Sequence, residues 1–130
     1  QLQTIKLWMG AEEITAELAL TPEQQMTGMM FRTNIPENSG MLFVFGGTFR
    51  ASFWMKNCPS SLAGAYIDPN GRILEIIDMH AQDTNAIVAK TADVQYVLEM
   101  KEGWFKRHNI SEGTLIRTEK GTFRETFFGQ

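Results

Sequence analysis

The sequence of 130 residues contains one cysteine, so it cannot form an internal disulfide. It also lacks any apolar run near the roughly 20 residues that a membrane-spanning helix requires. The chain does not begin with the charged and then apolar stretches of an export signal. We therefore expect no transmembrane segment and a single domain over residues 1–130, because a chain of this length can bury one core unaided.

Positive charge is also scarce. Twelve lysines and arginines stand against fifteen aspartates and glutamates, which leaves a net charge of -3, and no dense basic run occurs. Nucleic-acid phosphates require a cationic surface. We therefore expect no nucleic-acid partner, and we expect the domain to be a monomer.

The sequence has no signature of a metal site. His80 and His108 lie far apart, and neither paired cysteines nor an HExxH motif is present. Met79 beside His80 would suit copper(I) in principle. Most of the methionines, however, fall where the pattern requires apolar core residues, namely Met26, Met29, Met30, Met41, Met55 and Met100. Methionine is an adaptable core filler, so we expect neither a metal nor another cofactor.

Motifs of nucleophilic or phosphate chemistry are missing too. Cys58 has no histidine at a recognised spacing and precedes Pro59, which favours an inert, buried thiol over a nucleophile. No glycine-rich loop follows a strand, and no GxSxG elbow occurs. Glu75, Asp78 and Asp83 flank a strand end without a readable partner. These absences favour a protein that is not an enzyme.

Alternation of apolar and polar residues with period two dominates what is present, and it predicts strands. Asp68 to Gly71 separates two such runs and predicts a hairpin turn. We expect the last fifteen or so residues to form two short strands about Lys120 and Gly121. The other predicted strands are residues 3–9, 14–20, 41–45, 49–56 and 94–100.

One segment follows a helical period instead. Thr21 can cap a helix, Pro22 suits its first position, and Gln24 completes a capping box. We expect this helix to run from about Pro22 to Arg32, and a short helix or turn near residues 101–109. The fold class that follows is α+β and predominantly antiparallel β: a small curved or barrel-like sheet with one main helix packed on it, whose methionines plug the sheet.

The segment FRASFWMKN, residues 49–57, holds the best candidate binding surface. Alternation places Trp54 and Lys56 on one side, with Arg50 beside them, and the capped helix would bring Arg32 near. An indole among cations can stack on a sugar or receive an acidic ligand. Alternatively, Trp54 covers an end of the barrel beneath lysine and arginine stems. The predicted ligand-binding residues are Arg32, Arg50, Trp54, Lys56 and Asn57.

Five sequence blocks point to a known family: GMMFR (28–32), GMLFVF (40–45), FWMKN (53–57), YIDPNGRI (66–73) and YVLEMKEGWFKRHNISEGT (96–114). In order and spacing they resemble the bacterial and archaeal family called domain of unknown function 192. Its members are small single domains that often carry an export signal or lipoprotein leader, and no activity is assigned to them. Because the chain starts at Gln1 rather than methionine, the resemblance implies an extracytoplasmic location if a leader was removed, and a cytoplasmic one otherwise.

The resemblance also implies which positions recur in the family: Gly28, Arg32, Gly40, Met41, Phe45, Trp54, Met55, Lys56, Asn57, Asp68, Gly71, Glu99 and Gly103. The chain departs from the pattern just after FWMKN. Many members continue with Thr and then Pro-Leu-Asp, where this chain has Cys58 and then Ser61, Leu62 and Ala63. An aspartate essential to catalysis would therefore be missing here.

Two functions remain open. The first is an extracytoplasmic binding or accessory domain that holds a small polar, anionic or glycan ligand at Trp54 and Lys56. The second is a hydrolase-like enzyme that acts through Lys56, Asn57 and one of the carboxylates Asp68, Asp78 and Glu99. A deep closed pocket around Lys56 would favour the enzyme, whereas an exposed indole on an open face would favour binding.

Overall fold

The computed structural model describes residues 2–130. Within them the strands are β1 (Thr4–Met9), β2 (Glu12–Ala19), β3 (Ser39–Phe49), β4 (Ser52–Phe53), β5 (Leu62–Ile67), β6 (Ile73–Met79), β7 (Ile87–Val88), β8 (Val94–Lys101) and β9 (Ile116–Thr118). The helices are α1 (Pro22–Thr27), α2 (Trp104–Arg107) and α3 (Phe123–Phe128).

Seven strands form one sheet in the order β6-β5-β8-β3-β2-β1-β9, and β4 pairs with β7 in a second, two-stranded sheet. All neighbours are antiparallel except β2 and β3, which run parallel. The large sheet curls until its edges meet at one end, where the Ile73 N–H donates to the Thr114 carbonyl at 2.9 Å and Arg72 bridges Leu115. This half-barrel confirms the predicted fold class.

The interior of the half-barrel holds one core. Alternate residues of the central strand β8, Tyr96, Leu98 and Met100, point into it. Short helices near the end of the chain complete it, since Trp104 of α2 and Phe123 of α3 are fully buried in the same cluster. Residues brought together from both ends of the chain therefore fill the barrel.

The outer face of the sheet carries a second core. Val97 on β8 and Met41 and Phe43 on β3 point outward and pack against Met29 and Met55 from covering segments. These segments are α1 with its following turn and the connections around β4 and β7. Strand β8 is consequently buried on both faces, so residues 94–100 are shielded from solvent whichever face they point to.

Helix α1 is shorter than predicted. The capping box forms as expected, with the Gln24 N–H donating to the Thr21 hydroxyl at 3.2 Å. The helix ends at Thr27, because Gly28 takes a positive φ of 47°, so the prediction that it reaches Arg32 was wrong. Met26 is 78% exposed, and α1 is held to the sheet by Gln25, whose side-chain amide donates to the Val44 carbonyl at 2.8 Å.

The end of the chain also differs from the prediction. Strand β9 forms, but the segment after Gly121 is helix α3 rather than a strand. Thr122 and Glu125 form a capping box like that of α1, with the Glu125 N–H donating to the Thr122 hydroxyl at 3.1 Å. The three-residue spacing of these two was a readable helix signal that the strand prediction overlooked.

A cluster of charged side chains links the end of helix α2 to strand β2 and to the segment before β3. One ring nitrogen of His108 contacts Glu12 and the other lies 2.8 Å from Glu37, which also accepts two hydrogen bonds from Arg107. The imidazole stacks on Trp104 at 4.3 Å. Hydrogen bonds from Arg107 and His108 lower the pKa of Glu37 to about 2, and the Glu37 and then the Glu12 carboxylates raise the pKa of His108.

This cluster predicts a pH-dependent stability. Because the pKa of His108 is higher in the folded than in the unfolded protein, protonated His108 stabilises the fold. This stabilisation is complete below pH 6.5, the pKa in the unfolded chain, and is lost as the pH rises through the folded pKa. The lowered pKa of Glu37 acts oppositely, so its contribution is lost as pH falls from 4.5 toward 2. In the wild type, the free energy of unfolding should therefore decrease above pH 6.5. We expect that of His108→Gln to decrease less steeply with pH, as measured by urea denaturation. The exposed control His80→Gln should keep the wild-type slope, and an unchanged slope in His108→Gln would contradict the assignment.

None of the helices in residues 2–130 is long and apolar enough to cross a lipid bilayer. Over the same residues, no group of three or more histidine, cysteine, aspartate or glutamate side chains is placed to hold a metal ion.

Candidate functional site

A groove lies on the outer face of the half-barrel, between α1 and the chain around β4. It has a volume of about 360 Å³ and is partly open to solvent. Its lining comes from four parts of the chain: Pro22 and residues 25–30, the phenylalanines of β3, residues 52–56, and the pair Cys58 and Glu99. We call this feature the groove.

The wall of the groove is aromatic. Phe43 and Phe53 meet edge to face with ring centroids 5.1 Å apart, and Phe45 and Phe49 meet at 4.6 Å. Gly28 closes the wall from above, since a Cβ there would lie 3.4 Å from the Phe43 ring. Such pairs hold their geometry through packing, so the groove offers an ordered apolar surface.

Trp54 and Lys56 form the rim. The Trp54 side chain is 51% exposed, and the Lys56 ammonium lies 5.4 Å from the centroid of its ring. Within the described part of the chain, Lys56 makes no salt bridge. The alternation used to predict this surface is present in the burial pattern, because Ala51 and Met55 are buried whereas Trp54 and Lys56 are exposed. Hydrogen-bonded strand structure in this segment is confined to β4. The chain then turns at Asn57, where φ is 62°.

The other three predicted ligand-binding residues do not line the groove. Arg32 forms a salt bridge with Glu17 on β2. The Arg50 guanidinium donates to the Ala89 carbonyl at 2.7 Å. The Asn57 carbonyl accepts a hydrogen bond from the backbone N–H of Phe31. The structure therefore brings Trp54 and Lys56 together, and it engages Arg32, Arg50 and Asn57 in contacts within the fold.

Glu99 lies on the floor of the groove and is 4% exposed. Within residues 2–130 no hydrogen bond or salt bridge to its carboxyl group is formed, and burial alone raises its pKa to about 8. The carboxyl group is consequently mostly protonated at neutral pH. Sequence reasoning named Glu99 as a catalytic option but not as part of the Trp54 surface. The available signal was a lone charged residue within the apolar run of an inner strand, residues 94–100.

The remaining carboxylates considered for catalysis lie elsewhere. Asp68 is in the β5–β6 turn, where its side chain accepts hydrogen bonds from the N–H groups of Asn70 and Arg72. Asp78 is exposed on the edge strand β6. Ala63 belongs to the interior core and does not line the groove.

Cys58 is buried beside the groove, as predicted. Burial, and then the charge of Glu99 when it is ionised, raise the pKa of the thiol. The thiol therefore stays protonated at neutral pH, which is the opposite of what a nucleophile requires.

Comparisons with known proteins agree with the fold. A comparison with curated proteins finds no match. Among solved structures, a protein from Sinorhizobium meliloti 1021 described as a candidate transcription regulator is similar, with a TM-score of 0.86 and 30% identity over 91% of this chain and 95% of that one. A protein of unknown function from Novosphingobium aromaticivorans DSM 12444 is similar with a TM-score of 0.80 and 26% identity, over 90% and 85% of the two chains.

A family model matches most of the sequence. It covers residues 5–118 and is the model of the DUF192 family, described as "Uncharacterized ACR". The match includes every strand of the half-barrel except the first residue of β1, together with the groove and its rim. The resemblance noted from the sequence blocks is thereby confirmed, and the chain belongs to the DUF192 family.

Proposed function

We propose that this domain is a binding module that holds a small polar, anionic or glycan ligand in the groove, against Trp54 and Lys56. The observation that carries the proposal is the half-exposed indole at the mouth of a groove of about 360 Å³. Exposure of the apolar indole ring to water is unfavourable, and a bound ligand would cover it. Concave apolar sites with a few polar groups are typical of ligand binding.

The charge at the rim sets the polarity of the ligand. Lys56 is the one cation that lines the groove, and it makes no salt bridge within residues 2–130. A free ammonium beside an indole can give a charge-assisted hydrogen bond to an anion while the ring stacks on the apolar face of the same molecule. The site therefore suits a ligand with an acidic or hydroxyl-rich end and a flat body.

Trp54 fluorescence tests the proposal. In a Trp8→Phe background, a screen of acidic metabolites and oligosaccharides should find compounds that shift the emission of Trp54, because Trp104 is fully buried. Lys56→Ala should abolish the shift yet change the free energy of unfolding by no more than about 0.5 kcal/mol, since the side chain is exposed. The control Lys101→Ala, exposed at the end of β8, should bind normally.

Two results would contradict the proposal: a screen without any Trp54-dependent shift, or unfolding of Lys56→Ala. Hydrolysis of a bound compound that is lost in Glu99→Gln would instead support the second candidate, an enzyme. The observation behind that candidate is a buried, protonated Glu99 in the same groove as Lys56, an arrangement that general acid catalysis uses. Asn57, Asp68 and Asp78 do not line the groove, so an enzyme would have to work without them.

The rest of the proposal concerns partners and location. We propose a monomer, and the meeting of β6 and β9 through Arg72 and Leu115 supports it by shortening the free sheet edges. We propose no nucleic-acid partner, because the net charge is -3 and nucleic acid requires a cationic surface. An extracytoplasmic location is proposed from the leaders that family members often carry, and fractionation of the native cells tests it.

A further inference from the structure

The floor of the groove differs chemically from its wall and rim. Phe43, Phe45, Phe49 and Phe53 make the wall apolar, and Lys56 places a positive charge at the rim. The floor carries the Glu99 carboxyl group, more than nine-tenths buried and without a hydrogen-bond partner in residues 2–130. An unpartnered polar group that lines a cavity is an unused recognition element.

We infer that the groove takes a monocarboxylate with an apolar body, whose carboxylate lies at Lys56 and whose body lies on the phenylalanines, and that Glu99 must be uncharged for it to bind. This inference rests on the proposed function and names its ligand class. It follows from the sum of charges in the groove, where Lys56 and Glu99 are the only lining residues of formal charge among residues 2–130.

With Glu99 protonated, the groove carries one net positive charge, and an anion is attracted. With Glu99 ionised, the buried negative charge opposes that of the ligand across a poorly screened, apolar space. An ammonium ligand would show the reverse preference, because it would be repelled by Lys56 and attracted only to ionised Glu99. Since burial raises the pKa of Glu99 to about 8, the anion-binding state prevails at neutral pH.

The groups that face Glu99 are few. Within residues 2–130, the charge of Glu99 reaches the Cys58 thiol on the covering segment and the Tyr66 hydroxyl on β5. Lys56 lines the same groove. Burial raises the pKa of Cys58 above 9.0 and that of Tyr66 above 10.0, so both groups stay mostly uncharged up to pH 9. Neither α1 nor the neighbouring strand β3 contributes a charged residue to the groove. Titration of Glu99 is therefore the change expected to govern anion binding between pH 6.5 and 9.

Two probes with the same body and opposite charge test the inference: 3-phenylpropionate and 3-phenylpropylamine, titrated against the Trp8→Phe protein. At pH 6.5 the carboxylate should bind at least about tenfold more tightly than the amine. At pH 9 the affinity for the carboxylate should fall by about tenfold, because about nine-tenths of Glu99 would then be ionised. Both probes keep their charges over this range.

Glu99→Gln separates the role of this residue from other effects of pH. It should bind 3-phenylpropionate equally at both pH values, while Lys101→Ala should show the wild-type loss at pH 9. Circular dichroism at each pH establishes that the protein is folded, and Glu99→Met serves as a second uncharged variant if Glu99→Gln does not fold. An amine that binds as tightly as the carboxylate at pH 6.5, or an equal loss at pH 9 in the uncharged variant, overturns the inference.

Failure of this inference and failure of the proposed function remain distinguishable. If 3-phenylpropionate does not bind but another class of compound shifts the emission of Trp54, the monocarboxylate assignment falls and the binding function stands. If no compound in the wider screen shifts it, both fall.

Discussion

Phe43→Ala is expected to lower the free energy of unfolding by about 3–5 kcal/mol. The ring is 1% exposed, packs edge to face on Phe53, and lies below Gly28 at the end of α1. Its removal leaves a cavity between the sheet and its cover, which the surrounding structure fills only in part. Urea denaturation followed by circular dichroism measures the change.

Phe31→Ala is the matched control for this truncation. Phe31 loses the same atoms from a side chain that is 74% exposed, so the expected change is within about 0.5 kcal/mol. Similar losses in the two variants would contradict the assignment of Phe43 to the outer core. Phe43→Ala should also weaken binding in the groove, because the ring is part of its wall.

Gly40→Ala is expected to destabilise the domain by about 3 kcal/mol through overpacking. A Cβ at this position would overlap the Met100 sulfur and lie 2.7 Å from the carbonyl oxygen of Glu99. Methionine can move, but the backbone of the central strand β8 is held by ladders on both sides. The added methyl group therefore has to push β3 away from β8. Thermal denaturation would show the loss of stability as a lower midpoint temperature.

Gly46→Ala tests the same substitution in the same strand. A Cβ at Gly46 would meet nothing within 4 Å, so this variant should be as stable as the wild type or slightly more so. If Gly40→Ala and Gly46→Ala melt alike, close approach between β3 and β8 is not what requires glycine at Gly40.

Short-range signals predicted much of the fold. The turn from Asp68 to Gly71 forms as expected, because the Asp68 side chain bonds to nearby backbone and Gly71 has a positive φ of 88°. The capping box at Thr21 likewise marks a true helix start. The errors arose where two local signals competed: Gly28 ended α1 early, and alternation after Gly121 masked a second capping box.

The candidate site was predictable only in part. Alternation by itself placed Trp54 and Lys56 on one side, since successive side chains of an extended chain point in opposite directions. It did not predict that Arg32 would pair with Glu17, or that Arg50 would bond to Ala89. Those partners are distant in sequence, and no local pattern identifies them.

The sequence by itself determined the antiparallel β class, the family, the positions of the main turns and the shared side of Trp54 and Lys56. Each of these depends on residue spacing, which is the same before and after folding. Only the tertiary structure decided that Glu99 forms the floor of a groove below α1. A carboxyl group acquires a raised pKa from the atoms that exclude water around it, and those atoms come from segments that meet only when the sheet curls and its cover closes.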